Sequence, residues 1–115
     1  MTDECATTSR NTKLINFAKI LLDYIYDSLA EAQHDRASRS ALIVEAKDGY
    51  VILMRRLARD DTSHELKAVN ANIIFALDDF FRFANVDNIE IDEQFERRLV
   101  ESLARIDWIK TKLPS

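Results

Sequence analysis

Residues 63 to 71, Ser-His-Glu-Leu-Lys-Ala-Val-Asn-Ala, hold the most pointed chemical arrangement in the chain. On a helix His64 and Lys67 are one turn apart, so an ammonium stands beside an imidazole. An exposed imidazole can accept a phosphoryl group, the ammonium can neutralise its charge, and Ala68 and Ala71 leave room for a partner's active site. The same histidine also fits a helix's first turn near Asp60 and Asp61 with no chemical task, as surface histidines commonly do. Asp78 and Asp79 are adjacent carboxylates, but adjacent helical positions diverge by about 100°, so a solvated outer face is the expectation there and not a metal pair.

Other chemistry is missing from the pattern. A single glycine, Gly49, excludes a phosphate loop or a dinucleotide fingerprint, and neither a zinc spacing nor a Glu-x-x-His pair for a di-iron bundle is present. Cys5 is the one cysteine, so no internal disulfide can form. The expectation is a non-enzymatic protein with no cofactor and no metal. Sixteen basic and 20 acidic side chains give a net charge of −4, interspersed along the chain. Nucleic acid needs a clustered basic face, and the one local cluster, Arg55, Arg56 and Arg59, runs straight into Asp60 and Asp61. No nucleic-acid partner is expected. The apolar run from Tyr50 to Met54 is far too short to span a membrane, and no run is longer. Peripheral contact with a membrane surface is compatible with the sequence. A reducing, cytoplasmic location is the default reading.

These side chains need elements to position them. One glycine and one proline stand where an average chain of this length would carry roughly 8 and 6, which points to long helices joined by few turns. Residues 1–11 are polar and aperiodic, and the expectation is a flexible tail ahead of one domain over 12–113. In the first helix Leu14, Ala18, Leu21, Leu22, Ile25, Leu29 and Ala32 recur at steps of three and four, flanked by Phe17, Ile20 and Tyr24, which should widen the buried stripe. Asp35, Ser38 and Ser40 are competent caps for a second helix over about 38–60. Its inner line is Leu42, Ala46, Tyr50, Leu53 and Leu57, and Val44, Val51 and Ala58 form a second apolar line on nearly the opposite side. Such a helix is either central to the bundle or buried in an oligomer. Gly49 in its middle marks either a close helix crossing or a break.

Thr62-Ser63-His64-Glu65 reads as a capping box for a third helix, whose stripe is Leu66, Val69, Ile73, Ala76, Leu77, Phe80 and Ala84. Asn85 or Asn88 is suited to end it, and Ile89-Glu90-Ile91 reads as an extended link. Asp92 can cap a fourth helix with Phe95, Leu99, Leu103, Ile106 and Leu113 inside. Glu93 with Arg97, and Glu101 with Arg105, are spaced to pair on its solvent side. The fold expected is all-α, an antiparallel up-down four-helix bundle.

Two resemblances follow from quoted residues. The run from Ser63 to Ala71 resembles the core of histidine-containing phosphotransfer domains, four-helix bundles with His-x-x-Lys on a helix, and would make His64 the phosphoryl carrier and Lys67 its support. Ala68 stands where that family usually has glycine. The line Leu21-Leu22-Asp23-Tyr24-Ile25-Tyr26-Asp27 and the turn Ala84 to Asp92 are similar to small bacteriocin immunity proteins of the enterocin A type. That resemblance implies a cytosolic four-helix bundle that acts by binding a protein partner.

Phe75 falls about 150° from the centre of the third stripe, in line with Ala68, Ala71 and Arg82, and Trp108 falls on the outer side of the fourth helix near Arg105. Tryptophan and arginine dominate interface energetics, so Phe75, Trp108, Arg82 and Arg105 form a candidate surface for a protein partner or for self-association. The function expected is a non-enzymatic protein-binding bundle, of the immunity type. A histidine phosphotransfer protein and a structural homo-oligomer are the alternatives.

Overall fold

The computed structural model describes the backbone of residues 2–35, 37–59, 64–83 and 93–113 and, within them, the side chains of 12–35, 37–59, 66–82 and 95–113. It contains four α-helices: α1 (Thr2–His34), α2 (Arg39–Arg59), α3 (His64–Phe83) and α4 (Glu93–Lys112). Thr62 and Ser63 of the expected capping box, the stop signals at 84–88, the link 89–91 and Asp92 lie outside the described residues.

Each helix buries one seam at alternating steps of three and four. On α1 it is Ile15, Ala18, Leu22, Ile25, Leu29 and Ala32, on α2 Ile43, Ala46, Tyr50, Leu53 and Leu57, and on α3 Leu66, Val69, Ile73, Ala76 and Phe80. The α4 seam runs through Phe95, Leu99, Ser102, Ile106, Ile109 and Leu113. Such a seam lets helices pack along their whole length at a shallow crossing angle, as in coiled coils. The seams meet in one core.

Residue pairs across the helices give the direction of each. Arg39 bonds the Ala32 and Gln33 carbonyls while Gly49 lies against Tyr24 and Ile25, so α2 runs back along α1. Phe95 meets Phe80 while Arg105 meets Phe75, so α4 runs back along α3. Lys110 pairs with Asp23 while Glu96 and Arg97 stand beside Gln33 and His34, so α4 also opposes α1. Helices adjacent in the chain are adjacent in space, and α4 returns to α1, which closes the ring.

Two expectations need correction. Residues 2–11, expected as a tail, continue α1 as helix. They contain no Gly or Pro, and a helix already nucleated by packing extends with one hydrogen bond per added residue. At 33 residues α1 is about 50 Å long against about 30 Å for its neighbours, within a molecule 55 Å in its longest dimension. Second, Ile20 and Tyr24 do not widen the buried stripe: they are 66% and 46% exposed. Phe17 alone of the three flanking residues packs against the core. On α2 the second apolar line is likewise uncovered within the chain, with Val44 and Ala58 exposed and Val51 half-buried, so α2 is not the centre of the bundle.

Gly49 sits in an unbroken α2 at negative φ. A Cβ there would meet Cδ1 of Tyr24 at 3.1 Å and Cγ1 of Ile25 at 3.3 Å. The glycine marks a close α1–α2 approach, with the tyrosine ring laid over it. Among the described residues no helix is long and apolar enough to cross a membrane.

Candidate functional site

Phe75 and Trp108 stand on the outer side of the α3–α4 pair, 66% and 43% exposed. Both helices bury the opposite side: Ile73, Ala76 and Leu77 turn inward around Phe75, and Ile106 and Ile109 around Trp108. Helical geometry therefore forces the two rings outward, since a residue one or two positions from a seam residue points well away from it. The Arg105 guanidinium lies 5.7 Å from the Phe75 ring centroid, and the Lys112 ammonium 5.7 Å from that of Trp108. Arg105 was expected to pair with Glu101. It spans from α4 to a ring on α3 instead, because the neighbouring helix offers an aromatic face where an isolated helix offers only its own i−4 carboxylate. The Glu93–Arg97 pairing lies outside the described residues.

Arg82, grouped with Phe75 by its position on the helix, has a different engagement. Its Nε holds the Asp78 carboxylate at 2.9 Å. Asp78 also accepts a hydrogen bond from the Tyr50 hydroxyl of α2 at 3.4 Å. The network faces α2, whereas Arg105 reaches Phe75 from α4. Asp78 and Asp79 accordingly differ. Asp79 is solvated as expected, and Asp78 is a half-buried link between α2 and α3. Burial, reinforced by the Asp78 charge, pushes the Tyr50 hydroxyl up to about 12.

His64 is the first residue of α3, and its side chain lies outside the described residues. Lys67, Ala68 and Ala71 are exposed, as the phosphotransfer arrangement requires. Among the described residues no three His, Cys, Asp or Glu side chains are grouped to hold a metal ion.

Two features carry little signal in the sequence. Arg39, the first residue of α2 in a stretch of polar sequence, is 1% exposed. Its Nε donates to the Ala32 carbonyl at 2.7 Å and Nη2 to that of Gln33 at 3.2 Å, which satisfies two carbonyls left open at the end of α1. Its Nη1 is buried without a hydrogen-bond partner. Nearby, between the end of α1 and the start of α4, lies an open cleft of about 480 Å³ lined by Gln33, His34, Glu96, Arg97, Val100 and Glu101. Its charges are mixed, and no nucleophile is paired with a base there.

Comparison with protein families, with curated proteins and with solved structures finds no match for this chain.

Proposed function

We propose that this chain is a non-enzymatic, protein-binding helical bundle that works by occupying a protein partner, with an immunity-type inhibitor as the specific form. The observation that supports the reading is the outward placement of Phe75 and Trp108, two large aromatics on one helix pair that serve no purpose in the core. Scattered exposed apolar residues are normal, but aromatics accompanied by arginine are the side chains that anchor interfaces. The test is affinity capture from the native cell with the wild type and with a Phe75→Ala/Trp108→Ala double variant. A protein retained by the first and lost by the second supports the reading. Equal retention by both, or none by either, sinks it.

A second reading keeps His64 as a phosphoryl carrier with Lys67 as its electrostatic support, and the exposure of Lys67, Ala68 and Ala71 is what favours it. In that reaction an imidazole nitrogen of His64 attacks the phosphorus of a receiver's aspartyl phosphate. A P–N bond forms, the P–O bond breaks and the carboxylate leaves. Acid-labile, base-stable labelling that disappears in His64→Gln is the expected result. Failure of a panel of phosphorylated receivers to label the wild type removes this reading.

A further inference from the structure

We propose that the chain forms a two-fold dimer through the outer side of α1 and α2, each helix lying antiparallel to its counterpart in the second copy. This face is separate from Phe75 and Trp108. The Tyr24 ring laid over Gly49 marks the flank where the two helices meet solvent together. Ile20 lies one turn before Tyr24 and Ile52 one turn past Gly49, and all three apolar side chains are exposed. Two turns out from them, at nearly the same angle about each axis, stand charges. On α1 Lys13 precedes Ile20 and Glu31 follows Tyr24, and on α2 Glu45 precedes Ile52 and Arg59 follows it. All four are exposed.

Each pattern is a palindrome with its charges reversed. Outward from Leu22, α1 has Ile20 and Tyr24 two residues away and Lys13 and Glu31 nine away. Outward from Ile52, α2 has Asp48 and Arg56 four residues away and Glu45 and Arg59 seven away. The two centres coincide in space. Gly49 lies against Ile25, so Ile52, three residues on, is level with Leu22, three residues back along the opposed helix. Other described charges keep the same order on α1, where Lys19 precedes Leu22 and Asp23 and Asp27 follow it. Arg39 and Lys47 break the order on α2, but the first is buried and the second, two residues from Gly49, lies on the opposite flank.

A two-fold axis requires a self-complementary surface, and a different partner needs no palindrome. An axis lying in this face, at right angles to the helices and through the shared centre, sets Lys13 against Glu31 of the second copy and Ile20 against its Tyr24. Ile52 meets its own equivalent, and Arg56 and Arg59 meet Asp48 and Glu45. Every charge pair so formed is of opposite sign. An axis along the helices would set Lys13 on Lys13 and Glu31 on Glu31, so charge selects the antiparallel dimer. From Lys13 to Glu31 the face is about 27 Å long, and two helices make it about 20 Å wide. Two copies then hide about 1,100 Å² in all, above the ~1,000 Å² expected of a specific interface.

Sedimentation of the full chain from about 10 μM to about 1 mM should show a monomer–dimer equilibrium. Ile52→Asp sets two carboxylates together on the axis and should abolish the dimer, with helical circular dichroism unchanged because the residue is exposed. Lys13→Glu and Glu31→Lys should each weaken the dimer about tenfold, since each makes two symmetry-related pairs repulsive. The double variant restores those pairs with their ends exchanged and should return to within about threefold of the wild type. A monomer across the whole range, a dimer that survives Ile52→Asp, or a double variant no tighter than either single overturns the proposal. Ile52→Asp leaves Phe75 and Trp108 in place, so the partner-binding reading stands or falls separately.

Discussion

The Arg39 guanidinium lies 5.6 Å from the centroid of the Phe95 ring, inside the core. With its bonds to the Ala32 and Gln33 carbonyls, this one side chain caps α1, opens α2 and seats the first turn of α4. A buried charge is costly unless fully hydrogen-bonded, and here Nη1 is not.

Truncation and isosteric replacement of Arg39 should therefore part company. Arg39→Ala leaves two carbonyls open and a void beside Phe95, and about 3 kcal/mol should be lost in urea denaturation. Arg39→Met opens the same carbonyls and releases Glu96, 4.0 Å from Nη2, but it keeps the stem over the ring and removes the unpaired donor, so it should lose about 1–2 kcal/mol less than Arg39→Ala. Equal losses would mean that the carbonyl bonds, and not packing, hold this corner.

Gly49 lies under a ring that can move and a buried isoleucine that cannot. Gly49→Ala gains about 1 kcal/mol of helix propensity but crowds Tyr24 and Ile25, and the two effects should cancel to within about 0.5 kcal/mol. In a Tyr24→Ala background the same change should stabilise by about 0.5 kcal/mol or more. Denaturation of the four proteins of the cycle measures the coupling, and additive behaviour would show that the ring does not constrain the glycine.

The raised Tyr50 hydroxyl makes stability fall in strong alkali. The folded value, about 12, lies above the ordinary 10, so the protonated form is favoured by folding. The stabilisation is complete below pH 10 and is lost as pH rises through 12, by roughly 2 kcal/mol across that window. Tyr50→Phe should flatten the decline between pH 10 and 12, and absorbance titration of the three tyrosines should lose its latest step. A late step that survives in the variant would show that Tyr50 is not the group raised by folding.

Phe75→Ala and Trp108→Ala should each change the stability of the isolated chain by less than about 1 kcal/mol, because exposed side chains leave no cavity behind. Part of that small loss is the cation–ring contact with Arg105 or Lys112, worth about 0.5–1 kcal/mol at exposed sites. A loss of several kcal/mol in urea would place the rings in the core and reverse the facing of α3 and α4.

Spacing along the chain determines a good deal of this. Leu22, Ile25, Leu53, Ile73 and Leu99 can be assigned to the core from steps of three and four, and Phe75 and Trp108 to the outside, because each helix fixes the angle of every side chain about its own axis. What such an angle leaves open is how far the neighbouring helix extends over the flanks. Ile20 and Tyr24 lie at the margin of the α1 stripe and are left in water. Ile15, Phe81 and Ile109, which the stripes did not include, are covered. Arg39 could be recognised only once α4 brought Phe95 beneath it, and Arg105 met Phe75 in preference to Glu101 because α3 lies within its reach. Burial at a margin, and the choice of partner by a long charged side chain, depend on distances between helices far apart in sequence. Local periodicity sets directions about one axis and carries no information about those distances.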